Sequence, residues 1–425
     1  MKLPHGLRAL AYPNFRMFVA GQGTSQLGIW LQLIATSWLM YRLSGSTLML
    51  GFAAFALQIP FLVLAPVAGV YIDRLDVRRV LLVTNTVGLL QALVMLGLVA
   101  GGHIQPWHLI AGNLVLGVVN ACDAPARQSL LVHLVEHRAD LPNAIALNST
   151  MMNGARFVGP MIGGSVIAAF GETWGFALNS LLRVAVLGAL VAMRIAARSP
   201  AAPQGGWLGQ FLAGARYAYG FLPSRAALLL LASTSFTIQS YVSLMPWFAR
   251  EVFHGDSHTL GLLIGAAGFG AVSGMVYLAA RPSIRGLFRV IGWTAIVAGT
   301  GLFAFSFATR LWAALPMLYL TGMGMMLTAA STNTVLQSIV PDELRGRVAS
   351  LYVVSFLGVS PLGALFGGWA AEHIGAPHAL ALCGLGTMTA SLVYTLQLPK
   401  IRREIRPVYE RLGIVAIRPA PRADQ

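Results

Sequence analysis

Charged residues are scarce in this chain, so each one that interrupts an apolar run is a candidate for chemistry. The densest group is Asp73, Arg74, Asp76, Arg78 and Arg79, five charges in seven residues within "GVYIDRLDVRR". A carboxylate at such a hinge is suited to capping a neighbouring helix N-terminus, worth about 0.3–2 kcal/mol. The arginines are suited to pairing with acids and anionic headgroups. Four further charges lie deeper: Asp123, Arg127, Arg156 and Arg183. A charge inside an apolar span costs about 2.5–3.5 kcal/mol or more, and marks a site by default. One reading is structural, with Asp123 paired either to Arg156 or locally to Arg127; the other is that Arg156 and Arg183 face a cavity and attract an anionic substrate. Arg183 either snorkels or lines that cavity. His133 and His137, four apart, have metal-ligand spacing, but solvated histidines are the plainer reading and no metal site is expected. Cys122 and Cys383 fall in or at the ends of predicted helices, so no disulfide is expected.

The elements that position these residues are set by composition. Of 425 residues, 56% are hydrophobic and 10% charged, and the mean hydropathy is +0.71. Soluble domains carry about a quarter charged residues, so the chain belongs in a membrane. Runs of roughly 18 or more uncharged apolar residues read as spanning helices. Such runs lie between Arg16 and Arg42, Arg42 and Asp73, Arg79 and Asp123 (two helices), Arg225 and Arg250, Asp256 and Arg281, Arg289 and Arg310, Arg310 and Asp342, Arg347 and Glu372, and Glu372 and Lys400. Two more polar segments near 143–170 and 175–195 bring the prediction to twelve. Barrel strands alternate over about 10 residues, which these runs do not. The fold class is an all-α membrane protein.

A net charge of +15 invites a nucleic-acid partner, but its distribution excludes one. With the N-terminus in the cytoplasm, nearly every Lys and Arg falls on that side, and only Arg42, Arg250 and Arg310 fall opposite. That is the positive-inside pattern, with both termini cytoplasmic. The basic tail "KIRREIRPVYERLG" is expected to lie on anionic headgroups of the bilayer. The first apolar run is a first helix and not a discarded leader.

The chain reads as two six-helix halves, 1–195 and 226–398, with a linker at 196–225 and a basic cytoplasmic tail at 399–425. The linker opens with Ala, Pro and Gly, and apolar residues at helical spacing from Trp207 predict a short surface helix. "RQSLLVHLV" at Arg127 echoes "LQSIVPDEL" at Leu336, and Gly159-Pro160 echoes Ser360-Pro361. Repeats of this kind, with a site between them at mid-membrane, are a transporter architecture.

Gly69, Asp73, Arg74, Arg78 and Arg79 resemble the signature loop of the major facilitator superfamily, G-x-x-x-D-R-x-x-x-R/K-R/K. "NACDAPARQSLLVHLV", "LPNAIALNS", "GARFVGPMIGG" and "PDELRGRV" are similar to its bacterial exporter branch, which holds macrolide efflux pumps and the enterobactin exporter. The resemblance covers the whole chain. It implies the major facilitator fold, location in the bacterial inner membrane, alternating access, and a conformational latch at Gly69, Asp73, Arg74, Arg78 and Arg79. In that latch Asp73 caps helix eleven from the other half, and the second-half counterpart "ARPSIRG" has no acid, so one latch of this kind is expected. The helix-five residues Gly154, Gly159, Pro160, Gly163 and Gly164 resemble the motif associated with antiport. Glycines there permit tight packing and the proline bends the helix.

The expected function is secondary export of a small molecule, a siderophore or another anionic or polar metabolite. The alternatives are multidrug or macrolide efflux and, second, uptake by the same fold. Substrate or coupling candidates are Arg156, Asp123, Arg127, Arg183, Gln32, Asn113, Asn153 and Gln239. Ser25, Trp30, Thr36, Trp38, Asn148 and Tyr241 join them as residues able to line a cavity. Protons are the candidate coupling ion. Helix one carries no acid, which argues against cationic drugs. No nucleotide-binding loop, H-E-x-x-H or soluble domain supports an enzyme, and no cofactor is expected.

Overall fold

The computed structural model describes residues 5–72, 75–135, 137–193, 207–281, 283–411 and 414. Asp73 and Arg74 lie outside them, as does the start of the linker. Every regular element among the described residues is helical. A short 3₁₀ turn precedes α1 (Pro13–Ser44), α2 (Thr47–Ile72), α3 (Val77–Ala100), α4 (Pro106–His133), α5 (Leu141–Phe170) and α6 (Glu172–Ala192). Then come α7 (Trp207–Gly220), α8 (Leu222–Trp247), α9 (Ser257–Ala279), α10 (Leu287–Phe305), α11 (Leu311–Ile339), α12 (Asp342–Val353), α13 (Ser360–Ile374), α14 (Ala376–Leu396) and α15 (Leu398–Arg411).

Local chemistry explains the ends. Proline occupies the first turn of α1, α4, α5, α8, α13 and α14, where no backbone N–H is needed. Asp76 caps α3 and Asp256 caps α9 through side-chain bonds to the backbone amides two and three residues on, the N-cap arrangement. Gly45 ends α1 in the left-handed region, at φ 64°.

Among the described residues, ten segments are long and apolar enough to cross a membrane, and residues 343–374, covering most of α12 and all of α13, form one of them. With α1 and α5 this makes twelve membrane-length helices. α1 falls short in hydropathy because its polar side chains point inward: Gln22, Ser25, Gln26, Gln32 and Thr36 are all buried. In α5 the polar side chains, among them Asn153, Arg156 and Ser165, are half-buried or exposed. The segment at 175–195, read from sequence as more polar, is apolar enough to span as α6.

Helix packing repeats itself. α1 lies on α5 and α6, α2 on α4, and α3 on α4 and α6; likewise α8 lies on α13 and α14, α9 on α11, and α10 on α11 and α14. The two groups meet where α5 crosses α9 and α2 crosses α13. Glycine lets these backbones touch. A methyl group added to Gly261 would sit 2.5 Å from the Pro160 carbonyl oxygen, and one on Gly368 would sit 2.7 Å from that of Thr47.

The surface helices α7 and α15 lie at the end of the bundle that carries both termini. α15 turns Leu398, Ile401, Ile405 and Tyr409 onto the core formed with α8, α10 and α14, and leaves Lys400, Arg402, Arg403 and Arg411 exposed. The apolar face of the tail helix is thus covered by protein, and only its basic face is free for headgroups.

Candidate functional site

A cavity of about 370 Å³ opens between the two helix groups. Its wall is mostly apolar, with Met325 and Met326 from α11, Ile264 from α9, and Phe356 from the turn before α13. Polar groups converge on it from several helices: Trp30 and Thr36 (α1), Gln58 (α2), Asn113 (α4), Arg156 (α5), Gln239 and Tyr241 (α8). An apolar cleft with a few placed polar groups is the usual form of a small-molecule site.

Among the described residues that line this cavity, Arg156 is the one that carries a charge. It lies deep in the protein, yet its surface is exposed to the open volume. Among the described residues it makes no ion pair and no hydrogen bond. Gln239 likewise lines the cavity with no hydrogen bond of its own. Asn113 is held: its Nδ2 donates to the Ala53 carbonyl at 2.8 Å, tying α4 to α2. Gln58 accepts from the Ser360 hydroxyl, a bond that joins α2 to α13 across the cavity wall.

The other intramembrane charges form a separate cluster. Asp123 pairs with Arg127 at 2.7 Å, and accepts from Thr84 Oγ1 at 3.0 Å and Asn85 Nδ2 at 3.1 Å. Arg127 also donates to Gln22 at 2.9 Å. Of the two arrangements the sequence left open, Asp123 therefore takes Arg127, and Arg156 is left to the cavity. Arg183 is 5% exposed and its Nε has no partner. It packs its guanidinium over Gly88, where a side chain would collide with it.

The remaining candidates are placed elsewhere. Gln32 sits in a buried amide chain, donating to Gln91 at 2.9 Å and accepting from Asn179. Asn153 bonds the Ser149 carbonyl one turn back, at 2.8 Å. Ser25 is buried within α1 and Trp38 packs against the core. In helix five, Gly159 makes room for the Trp30 ring and Gly164 for the start of α9, whereas nothing lies within 4 Å of a methyl group placed on Gly154.

The described part of the signature loop does local work. Arg78 donates to the Leu190 and Val191 carbonyls at 3.0 and 2.6 Å, closing the C-terminal end of α6. Arg79 pairs with Asp76 at 3.4 Å. The Asp73 and Arg74 expectations fall outside the described residues.

Sequence reading missed Gln58 and the sulfur-rich wall of α11, and noted Ser360 only as part of a repeat. Gln58 had a signal, as a lone amide in the otherwise apolar "FALQIPF" stretch of α2. A five-residue π-turn, Val354–Gly358, also escaped notice. It interrupts the eleventh span where Phe356 and Leu357 reach the cavity, so Pro361 opens a new helix, while Pro160 lies inside a continuous α5.

These twelve helices around a central cavity are those of a major facilitator transporter. The profile of the transmembrane secretion effector family matches residues 5–410, and the chain belongs to that family of membrane transporters. It is 24% identical to the staphyloferrin A transporter of Staphylococcus aureus, over 87% of this chain and 92% of that protein. It is 25% identical to the multidrug efflux pump Tap of Mycolicibacterium fortuitum, over 91% of this chain and 95% of that one. Among solved structures, the nucleoside transporter NupG superposes with a TM-score of 0.72 at 12% identity, over 90% of this chain and 99% of that one.

Proposed function

We propose that this transporter exports an anionic small molecule from the cytoplasm by alternating access, with Arg156 as the counter-charge in the cavity. One observation carries the reading: the charge lining the cavity is a guanidinium without a carboxylate. An ion held away from water is retained where it meets its opposite, and Arg presents a planar fork of donors to carboxylate or phosphate. Gln239 is free to add a neutral donor, and the methionines and Phe356 suit the apolar body of the same substrate. A siderophore fits these demands, and a relative of this chain is named for transporting one.

In this reading both termini are cytoplasmic and the membrane is the bacterial inner membrane, as the arginine asymmetry implies. Residues 1–195 and 226–398 act as two moving halves, and Asp73 latches them at the cytoplasmic end. Protons are the coupling ion. The glycine-lined α5, with Pro160 inside it, favours export over uptake.

The test is retention of a radiolabelled anionic siderophore by cells, with wild type, Arg156→Ala and Arg156→Lys at equal membrane levels. Removing one partner of a buried charge pair costs about 2–5 kcal/mol, so Arg156→Ala should weaken substrate binding by roughly 30-fold or more. Arg156→Lys should fall between. Equal export by all three chains would remove the anion site. Multidrug efflux is the second reading, favoured by the largely apolar wall and the name of another relative. Export of hydrophobic drugs that is indifferent to Arg156 would establish it.

A further inference from the structure

The N-terminus of α2 is capped by a residue 325 positions away. Glu372, in the last turn of α13, turns its Oε2 onto the start of α2. There it accepts from Thr47 Oγ1 at 2.8 Å, the Thr47 amide at 3.0 Å, and Ser46 Oγ and the Leu48 amide at 3.2 Å each. The first amides of a helix have no partner within it, and they carry the positive end of the helix dipole. A helix normally answers that need with its own N-cap residue. Ser46 does so only for the Met49 amide, at 3.3 Å, and the two amides before it depend on the other helix group.

The surroundings are built for this contact. Gly51 and Gly368 bring the α2 and α13 backbones together, since a methyl group on Gly51 would lie 2.8 Å from the Ala364 carbonyl oxygen. Thr47 Oγ1 also reaches the Gly368 carbonyl at 3.2 Å. Two further bonds join the helix groups at the same end of the bundle, away from the termini. Tyr41 donates to Glu251 at 3.0 Å, and Ser257 donates to the Gly164 carbonyl at 3.2 Å. Of these three ties, only Glu372 makes several charge-assisted bonds at once, and such bonds are roughly twice as strong as neutral ones.

We propose that Glu372 is the latch that holds this face of the transporter shut. α2 and α13 separate here only when the carboxylate leaves the α2 amides, so opening exposes an uncapped helix start together with a free carboxylate. The latch acts whichever way the substrate moves and whatever the substrate is.

The test uses the full chain in nanodiscs, with Cys122 and Cys383 replaced by serine and spin labels on cysteines introduced at Leu43 and His258. Both positions are exposed at the closed face, on opposite helix groups. Glu372→Gln removes the charge and keeps the shape. Loss of about one charged hydrogen bond corresponds to roughly tenfold in an equilibrium. The longer-distance, open population should therefore rise roughly tenfold relative to the closed one, and Glu372→Asp should give a smaller rise. An unchanged distance distribution in Glu372→Gln would overturn the latch. Should that variant fail to fold, Thr47→Val decides. It removes one donor and leaves the carboxylate, and it should move the distribution the same way by a smaller factor. No movement there would overturn the proposal equally.

Discussion

Asp123 is one carboxylate set among two guanidinium groups. Arg127 has it at 2.7 Å, while Arg183 is buried nearby with its Nε unpartnered. Two opposite predictions follow from that asymmetry. Asp123→Asn leaves both cations without a counter-charge, and breaking a buried pair in this way costs about 3–5 kcal/mol; its thermal midpoint in detergent should drop well below wild type. Arg183→Met removes a charge that has no hydrogen bond to lose and fills similar volume, so the midpoint should hold or rise, as happens when buried charges give way to apolar residues. If Arg183→Met keeps its stability and loses transport, Arg183 handles substrate or coupling ion. The spacing of Asp123 and Arg127 made their pair legible in the sequence. The hydrogen bonds that Thr84 and Asn85 donate to Asp123 were not, because they come from another helix, 39 and 38 residues away. Glu372 was equally illegible: in the sequence it marks only the end of an apolar run.

Elements were easier to read than sites. Uncharged length alone located most spans, because a charge inside one is costly and so falls near its ends. The exceptions, α5 and α6, each carry an arginine inside the span: Arg156 lines the cavity and Arg183 packs over Gly88. The π-turn before α13 was missed because it inserts residues without changing the apolar pattern. In helix five the glycines looked alike, and packing separates them. Gly164 meets the start of α9 and Gly261 meets Pro160, both within clashing distance of an added methyl group. Gly164→Ala and Gly261→Ala should therefore push α5 from α9, at a cost of about 1–3 kcal/mol for overpacking. Gly154→Ala meets nothing and gains about 1 kcal/mol of helix propensity. Thermal midpoints of the three variants check this, with the first two falling and the third holding or rising. A uniform fall would mean that the helix-five glycines serve flexibility instead of contact.

At the scale of the whole molecule, α2 and α13 are the pair that can be gripped at either end. At the end away from the termini the grip is Glu372 on the first amides of α2. At the other end the sequence puts Asp73, just past α2, on the side where the eleventh span begins. On the proposed latch reading, each acid closes one face, and the two grips oppose each other because a rocking pair of helices closes at one end as it opens at the other. Removing one acid should then shift the protein towards the state the other favours, and removing both should largely restore the balance. With labels on Leu43 and His258 at one face and on Leu75 and Arg285 at the other, Glu372→Gln should lengthen the first distance and shorten the second. Asp73→Asn should do the reverse. The double variant should return both distributions towards wild type, with each single shift near a factor of ten and the double near one, as coupled sites biasing one equilibrium require. Independent, additive loosening of both faces would show instead that the acids brace their own ends and do not compete for a shared motion.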